Sequence, residues 1–327
     1  MTKSANNLLW IVGQGGLLGS SIATQVNQHS NNWILWKQPE AFCWTEPLLL
    51  KNQFEHHLDL FLQAVKKQPK WTLIWTAGAG VVGTSAENLR AETSHFKYFL
   101  NQLEKKMGSY LNQGSFFLAS SAGGIWAGCP HFPVNEATPP HPISDYGKQK
   151  LEQEQILKAL SKTSPQFRVM IGRISNLYGT RQNLTKAQGL LSQLCRSALL
   201  QVPMNVFVPL STVRDYLYAP DAAELILRAL KKMESTDQTL TTKIFASEEE
   251  CSISQILSHL AHLTHHEPRM AYPENTSSSL QPLELSFRSQ VLIEPYSYKP
   301  LLEGLNEILN FQESQLQLGE LPFPQAI

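Results

Sequence analysis

The chain has 327 residues, 42% hydrophobic and 17% charged, which is typical of soluble globular enzymes and long enough to bury a large core. Lysine plus arginine equals aspartate plus glutamate at 27 each, so no overall positive field attracts nucleic acid. No apolar run approaches the ~20 residues that cross a bilayer, and the short apolar N-terminal segment is typical of a buried strand, not a signal peptide. The four cysteines show no CxxC spacing, so we expect free thiols and a cytoplasmic location. Together, the charge balance and the short apolar runs predict a protein without membrane or nucleic-acid partners.

Short apolar segments alternate with amphipathic ones over the first 175 residues, a pattern typical of βαβ units and a parallel sheet. The predicted strands are apolar on both faces, as in a sheet covered on both sides, and comprise 8–12, 33–36, 72–76, 115–119 and 168–172. The predicted helices between them are 17–28, 54–67, 87–107 and 146–161. The pattern therefore predicts an α/β fold of Rossmann type with a doubly wound parallel sheet.

The second part of the chain has a different pattern. Residues 177–213 form a mixed stretch, and a loop or strand followed by a strong helix comes next. Further on we predict a strand at 243–246, helices at 252–265 and 301–311, and a flexible connection at 273–282. We assign 1–176 and 212–242 to a dinucleotide-binding domain, and 177–211 and 243–327 to a smaller C-terminal α/β lobe that binds the substrate.

A glycine-rich turn follows the first predicted strand and begins the first helix. Glycines allow a tight bend and close approach of a pyrophosphate, and the helix N-terminus offers free N–H groups with a partial positive charge. The spacing is GxxGxxG and not GxGxxG, so a glycine-rich turn without a ligand is the alternative. We predict that this turn binds a dinucleotide through Gly13, Gln14, Gly15, Gly16, Leu17, Leu18 and Gly19.

The end of the second predicted strand bears on the choice of cofactor. An acidic residue there would accept hydrogen bonds from the adenosine ribose and indicate NAD. The chain instead has Trp36, Lys37 and Gln38 at this point. Lys37 could pair with a 2′-phosphate, which favours NADP over NAD, whereas a solvated lysine at a strand end is the alternative.

Tyr146 and Lys150 lie four residues apart, after Ser144, a residue type that commonly caps helices. This spacing brings both side chains to the same helix face. A free phenol rarely does acid–base chemistry at neutral pH, since phenols ionise near pH ~10, but a neighbouring cation stabilises the phenolate. An isolated YxxxK is more often an ordinary surface pair, so the other motifs decide the interpretation.

With the glycine turn, YxxxK and a serine-rich strand end together, the chain resembles the extended short-chain dehydrogenase/reductase family of NAD(P)-dependent nucleotide-sugar epimerases, dehydratases and reductases. The similar segments lie between about residues 8 and 235. Besides the glycine turn they are the strand end 116–126, the loop and helix start 133–148, the Arg-Ile-Ser-Asn-Leu-Tyr-Gly segment 173–179, and the Arg-Asp-Tyr segment within 213–221.

The resemblance implies an enzyme that reduces or epimerises a nucleotide-activated sugar. Tyr146 would be the general acid/base, and Lys150 would hold the nicotinamide ribose. Ser121 would hydrogen-bond the reacting oxygen, with Ser120 as the competing candidate. After the family's fourth strand, Thr76, Ala77 and Gly78 would line the cofactor. Asn176 and Arg214 would face the nucleotide-sugar, although Arg214 could instead pair with Asp215 or Asp221.

Departures from the family pattern narrow the chemistry. The residues after Ser121 are Ala122, Gly123 and Gly124, which cannot supply the acid and base of a 4,6-dehydratase, so reduction or epimerisation is favoured. Cys129 matches the cysteine of some reductase-epimerases poorly, and we interpret it as a packing residue. The alternatives are a reductase of a non-sugar carbonyl and a catalytically silent dinucleotide sensor.

Two further expectations concern metals and assembly. Adjacent histidines, as at 56–57 and 265–266, point to different faces, so we interpret both pairs as solvated and predict no metal site. In many relatives, two helices from each subunit form a four-helix bundle. The resemblance therefore implies a possible homodimer through 87–107 and 146–161.

Overall fold

A computed structural model describes residues 7–29, 32–185, 188–271 and 282–322 of the chain. The strands are β1 (Asn7–Val12), β2 (Trp33–Leu35), β3 (Lys70–Trp75), β4 (Gly114–Ser121), β5 (Arg168–Ile174), β6 (Asn176–Tyr178), β7 (Met204–Asn205), β8 (Val213–Tyr218), β9 (Leu240–Phe245), β10 (Glu250–Ser252), β11 (Met270–Ala271) and β12 (Glu284–Leu285). The α-helices are α1 (Leu17–His29), α2 (Pro47–Val65), α3 (Ala86–Met107), α4 (Ala122–Trp126), α5 (Asp145–Thr163), α6 (Leu190–Leu200), α7 (Ala219–Met233), α8 (Ile253–Thr264) and α9 (Leu301–Gln317).

The central sheet is parallel and has the strand order β2-β1-β3-β4-β5-β9. Alternate residues of each strand enter opposite cores, as the two-residue period of a strand requires. In β1, for example, Trp10 packs with α2, α3 and α5, whereas Ile11 packs with α1 and α7. The predicted Rossmann-type α/β fold with a doubly wound sheet is confirmed.

The domain boundary that we predicted after residue 242 needs correction. β9 pairs with β5 along its whole length, from Leu240 to Phe245, so the boundary falls inside a strand of the central sheet. Ile244 and Phe245 are buried on opposite faces, and this two-sided burial is the reason that the strand belongs to the larger layer. β8, which we assigned to the dinucleotide-binding domain, lies in a smaller sheet instead.

The smaller lobe is built around β8. This strand pairs with β10 in the antiparallel direction and with β6 and β12 in the parallel direction. Residues of α6, α8 and α9, including Leu194, Ile256 and Leu305, form a separate core against Tyr216 and Tyr218. The mixed stretch thus contains a helix, α6, that the sequence did not predict. Most of the predicted connection 273–282 lies outside the described residues.

The structure also changes two details of the predicted first half. The resemblance assigns Thr76 to the end of a fourth strand, but it follows the third, because the chain between β2 and α2 forms no strand. α2 begins at Pro47, ahead of the predicted start, since proline is well suited to the first helical turn. Along this helix, His57 is completely buried beside Phe42 and is not solvated as predicted. Among the described helices, none has the length and apolar character that a bilayer span needs.

Candidate active site

The carboxyl ends of β1, β3 and β4 bring the predicted site residues to one edge of the sheet. β1 lies between β2 and β3, so the chain order reverses here, and such a point is where open α/β sheets bind ligands. The backbone N–H of Thr76 donates to the carbonyl oxygen of Val12 at 2.9 Å. The hydroxyl of Thr76 also donates to the carbonyl oxygen of Gly13 at 3.2 Å. These bonds fix the glycine turn against the loop that follows β3.

The glycine turn has the features that a pyrophosphate needs. Gly13 has φ 94°, and a methyl group on it would lie 2.5 Å from the backbone nitrogen of Ala77. A methyl group on Gly19 would lie 2.4 Å from the carbonyl oxygen of Gly13. By contrast, a methyl group on Gly15 would meet no atom within 4 Å, and Gly16 is also exposed. The packed side of the turn therefore requires glycine, while its open side is accessible to a ligand.

The other predicted residues of the turn differ in exposure. Gln14 is exposed and Leu17 is half-buried. Leu18 is buried in the core beneath α1, so only its backbone N–H, in the first helical turn, is suited to bind an anion. These residues fit a dinucleotide through backbone groups more than through side chains.

Tyr146 and Lys150 lie on the first two turns of α5, where the Ser144 hydroxyl accepts a hydrogen bond from the N–H of Gly147 and caps the helix. The Nζ atom of Lys150 lies 5.9 Å from the centroid of the Tyr146 ring. The same atom would lie 3.6 Å from a methyl group on Gly78. Lys150 is 8% exposed and donates to Oε1 of Gln153 at 3.3 Å. The ammonium thus lies close to both the phenol ring and the loop that follows β3.

The two candidate serines at the end of β4 have different surroundings. A methyl group on Gly124 would lie 3.2 Å from Oγ of Ser121 and 3.0 Å from the Tyr146 ring. Ser121 therefore lies beside the phenol, and its hydroxyl accepts a hydrogen bond from the N–H of Gly124. The hydroxyl of Ser120 instead donates to the carboxylate of Glu154 at 2.7 Å in the interior. Ser121 is the serine that the structure brings to Tyr146.

Glu154 also forms a buried ion pair that the sequence analysis missed. Arg173 donates to it through Nε at 3.0 Å and Nη2 at 2.8 Å, and both side chains are almost fully buried. The guanidinium of Arg173 also stacks on Trp126 at 4.5 Å. The spacing could have indicated Glu154 as a candidate, because it follows Lys150 by four residues and lies on the helix face that carries Tyr146. The partner on β5 could not be read from local spacing.

Glu92 of α3 is a second residue that the sequence analysis missed. Its Oε1 atom accepts hydrogen bonds from the backbone N–H groups of Ala79 and Gly80, each at 2.8 Å. Its Oε2 atom accepts one from Nε2 of Gln149 at 3.2 Å. Only the tertiary fold joins these three segments.

The predicted substrate residues lie on adjacent strands of the smaller sheet. Asn176 begins β6, is exposed, and donates through Nδ2 to the carbonyl oxygen of Asp215 at 2.9 Å. Arg214 lies on β8, is 9% exposed, and donates to the carbonyl oxygen of Val213 at 2.8 Å. Burial lowers the pKa of Arg214. The structure thus brings the two residues together in one sheet, although the guanidinium already binds backbone.

The carboxyl groups considered as partners of Arg214 both bind other groups. Asp215 accepts hydrogen bonds from the N–H groups of Ser247 and Glu248 at 3.1 and 2.7 Å. Its burial raises its pKa, and these hydrogen bonds oppose the shift. Asp221 accepts one from the phenol of Tyr296 at 3.1 Å and one from the N–H of Lys299 at 2.7 Å.

Two remaining candidates lie at the margin of the site. Lys37 is exposed two residues beyond β2, at the same edge of the sheet as the glycine turn. Cys129 packs beside the apolar cluster around Trp126, and burial raises the pKa of its thiol, which keeps the sulfur protonated. This environment agrees with a packing role for Cys129.

The fold is of the Rossmann type, and the glycine turn lies at the sheet edge where such folds bind dinucleotides. Residues 9–244 match the NAD dependent epimerase/dehydratase family, and the chain belongs to this family. Membership confirms the resemblance to nucleotide-sugar epimerases and related enzymes, and it supports a nicotinamide dinucleotide as the cofactor.

Two curated proteins are similar in sequence. The protein named "Putative UDP-glucose 4-epimerase" from Methanocaldococcus jannaschii is 25% identical over 199 residues, 60% of this chain and 62% of that protein. The dTDP-L-rhamnose 4-epimerase of Burkholderia thailandensis is 27% identical over 154 residues, 46% of this chain and 42% of that protein. The similarity thus spans less than two thirds of either relative.

Solved structures resemble the fold over nearly its full length. The UDP-glucose 4-epimerase of Thermotoga maritima with UDP-glucose has a TM-score of 0.70 and 19% identity, covering 94% of this chain and 99% of that one. RMD from Pseudomonas aeruginosa with NADPH has a TM-score of 0.75 and 18% identity, covering 95% and 98%. The UDP-glucose 4-epimerase of Thermus thermophilus with NAD has a TM-score of 0.69 and 18% identity, covering 93% and 98%.

Proposed function

We propose that this protein is an NAD(P)-dependent enzyme that reduces or epimerises a nucleotide-activated sugar, with Tyr146 as the general acid/base. One observation carries the proposal. The Lys150 ammonium lies 5.9 Å from the centroid of the Tyr146 ring, and it would lie 3.6 Å from a methyl group on Gly78, in the loop that packs on the glycine turn. A proton donor and a cation are thus available at the sheet edge where this fold binds a dinucleotide.

Each side chain then has a defined task. When bound, the dinucleotide supplies the nicotinamide ring that carries the hydride. The phenol of Tyr146 gives a proton to, or takes one from, the sugar oxygen. Lys150 binds the nicotinamide ribose and places its positive charge near the Tyr146 ring. The Ser121 hydroxyl, beside the Tyr146 ring, hydrogen-bonds the same sugar oxygen. The exposed N–H groups of the glycine turn bind the pyrophosphate.

The packing around Gly124 argues against dehydration. A methyl group there would already lie 3.0 Å from the Tyr146 ring, so no larger side chain fits without moving the phenol. Ala122 is fully buried and Gly123 has no side chain, so the residues after Ser121 supply no acid or base. Simple hydride transfer with one proton donor is the chemistry that remains.

The substrate class rests on Asn176, Arg214 and the relatives. A guanidinium donates two hydrogen bonds to phosphate oxygens in a fixed geometry, which suits the diphosphate of a nucleotide-sugar. The two curated relatives act on a UDP- and a dTDP-linked sugar according to their names. Lys37, exposed at the end of β2, favours NADP because it could approach a 2′-phosphate.

We also propose a homodimer through α3 and α5, which pack side by side. Their outward faces are mainly polar and include the exposed residues Lys97, Asn101, Glu104, Glu152 and Lys162. Such a bundle would depend on ion pairs and would weaken at high salt, since exposed charges are screened. Sedimentation velocity at low and high salt tests this, and a monomer under both conditions would refute it.

The decisive experiment incubates the protein with a panel of nucleotide-4-ketosugars and NADPH or NADH, and in parallel with nucleotide-sugars and NADP⁺ or NAD⁺. Nicotinamide absorbance reports reduction, and chromatography of the products reports epimerisation. Tyr146→Phe should lower turnover by ~10²–10⁴-fold with little change in cofactor affinity, because only the proton donor is lost. Tyr110→Phe, at a distance from the sheet edge, is the matched control. Near-normal turnover in Tyr146→Phe would contradict the proposal.

A further inference from the structure

The carboxylate of Glu92 joins three segments of the site. It accepts hydrogen bonds from the backbone of the loop after β3, at Ala79 and Gly80, and from the side chain of Gln149 on α5. Glu92 itself lies on α3, between the two. Since a carboxylate accepts such bonds more strongly than a neutral oxygen, the loop is attached firmly to both helices.

The loop is shaped to meet this carboxylate. A methyl group on Gly80 would lie 2.6 Å from the side chain of Leu89 and 3.3 Å from Oε2 of Glu92. A side chain at Gly80 would therefore press against Leu89 and Glu92 of α3. A methyl group on Gly78 would lie 3.5 Å from the same oxygen and 3.6 Å from Nζ of Lys150. Gly78 is thus flanked by a carboxylate and an ammonium.

Gln149 extends the same contact to the Tyr–Lys helix. It is 4% exposed, and its Nε2 atom donates to Oε2 of Glu92 and to the carbonyl oxygen of Leu89. Gln149 directly precedes Lys150, so its hydrogen bonds to α3 also fix the position of Lys150 relative to α3. A shift of the loop relative to α3 would therefore change the distance between the loop and Lys150.

We propose that Glu92 is a positioning residue for the nicotinamide half of the cofactor. It holds 78–80 against α3 and α5, so that Gly78 and Lys150 face the nicotinamide ribose at a fixed separation. This inference rests on the proposed function. It adds a residue that lies outside the glycine turn, the Tyr–Lys pair and the serine.

The test separates the two halves of the dinucleotide. ADP reaches only the glycine turn, whereas NADH or NADPH, whichever binds more tightly, also reaches Gly78 and Lys150. The variant Glu92→Met keeps the size and helix preference of the side chain but removes both carboxylate oxygens and leaves only a weakly accepting sulfur. Glu87→Met is the matched control, since Glu87 is exposed in the first turn of the same helix.

We expect Glu92→Met to raise the Kd of the reduced dinucleotide about tenfold while the Kd of ADP changes less than about twofold. Glu92→Gln, which retains one acceptor oxygen for Ala79 and Gly80, should recover most of the affinity. Glu87→Met should leave both constants unchanged. A merely structural role would instead weaken both ligands together, and ADP binding also reports whether each variant is folded.

The outcomes distinguish this inference from the proposed function. If Glu92→Met binds the reduced dinucleotide and ADP as the unsubstituted protein does, or weakens both equally, the role of Glu92 is refuted and the proposed function is unaffected. If the selective loss is found but no nucleotide-sugar is turned over, the positioning role stands and the proposed function fails. Failure of the unsubstituted protein to bind either dinucleotide would refute both.

Discussion

Replacing Glu154 by leucine should destabilise the protein more than a typical substitution. The change leaves the guanidinium of Arg173 buried without its carboxylate, and arginine cannot lose its charge in proteins. Breaking a buried ion pair in this way costs about 3–5 kcal/mol. The hydroxyl of Ser120 also loses its acceptor, which costs about 1–3 kcal/mol more. We therefore expect a loss of about 4–8 kcal/mol in the free energy of unfolding.

A double variant makes this prediction sharper. Replacing a buried ion pair by apolar residues of similar volume is often neutral. The double variant Glu154→Leu/Arg173→Met should therefore be more stable than Glu154→Leu alone. Its free energy of unfolding should lie within about 3 kcal/mol of that of the unsubstituted protein, and this difference reflects the Ser120 hydroxyl without its acceptor. Recovery on adding a second substitution would identify the uncompensated charge as the cause.

Urea unfolding at neutral pH measures the effect. The midpoint for Glu154→Leu should fall by more than about 1 M, with little change in the slope of free energy against urea. Glu313→Leu is the control, because Glu313 is exposed on α9, outside the proposed dimer face. A loss below about 1 kcal/mol for Glu154→Leu, or a double variant less stable than either single one, would refute the reasoning.

Two further predictions follow from packing and burial. Gly13→Ala should abolish binding of NADH and NADPH, since the new methyl group meets the backbone of Ala77 at 2.5 Å; an unchanged affinity in a fluorescence titration would refute the glycine-turn assignment. Desolvation lowers the pKa of His57, and the charge of Glu40 opposes this shift. As the pH falls below about 6.5, His57 therefore binds a proton in the unfolded state but not in the folded state. The free energy of unfolding then declines as the pH falls. His57→Phe should reduce this decline between pH 8 and 5.5 in thermal unfolding, whereas the exposed-site control His56→Phe should not; equal declines in both variants would contradict it.

Sequence patterns predicted the fold class, which the structure confirms, and most of the residues that the structure brings to the candidate site. The strands β1, β3, β4 and β5 are apolar on both faces, and such strands require helices on both sides of the sheet. This pattern predicted a parallel sheet. The glycine turn and the pair Tyr146 and Lys150 were found because their chemistry depends on local spacing, along one turn or one helix face. The sequence could not decide between Ser121 and Ser120. Adjacent residues of a strand point to opposite faces, and the sequence alone did not show which face meets Tyr146.

Tertiary structure decided everything that depends on groups far apart in the chain. Glu92 meets 79–80 and Gln149, and Glu154 meets Ser120 and Arg173, through contacts between segments that no local pattern connects. The sheet membership of β9 was decided in the same way, because an apolar strand is equally compatible with either lobe until its neighbours are known. Hydrogen bonds and ion pairs depend on atoms being a few ångströms apart, and only the folded chain fixes those distances.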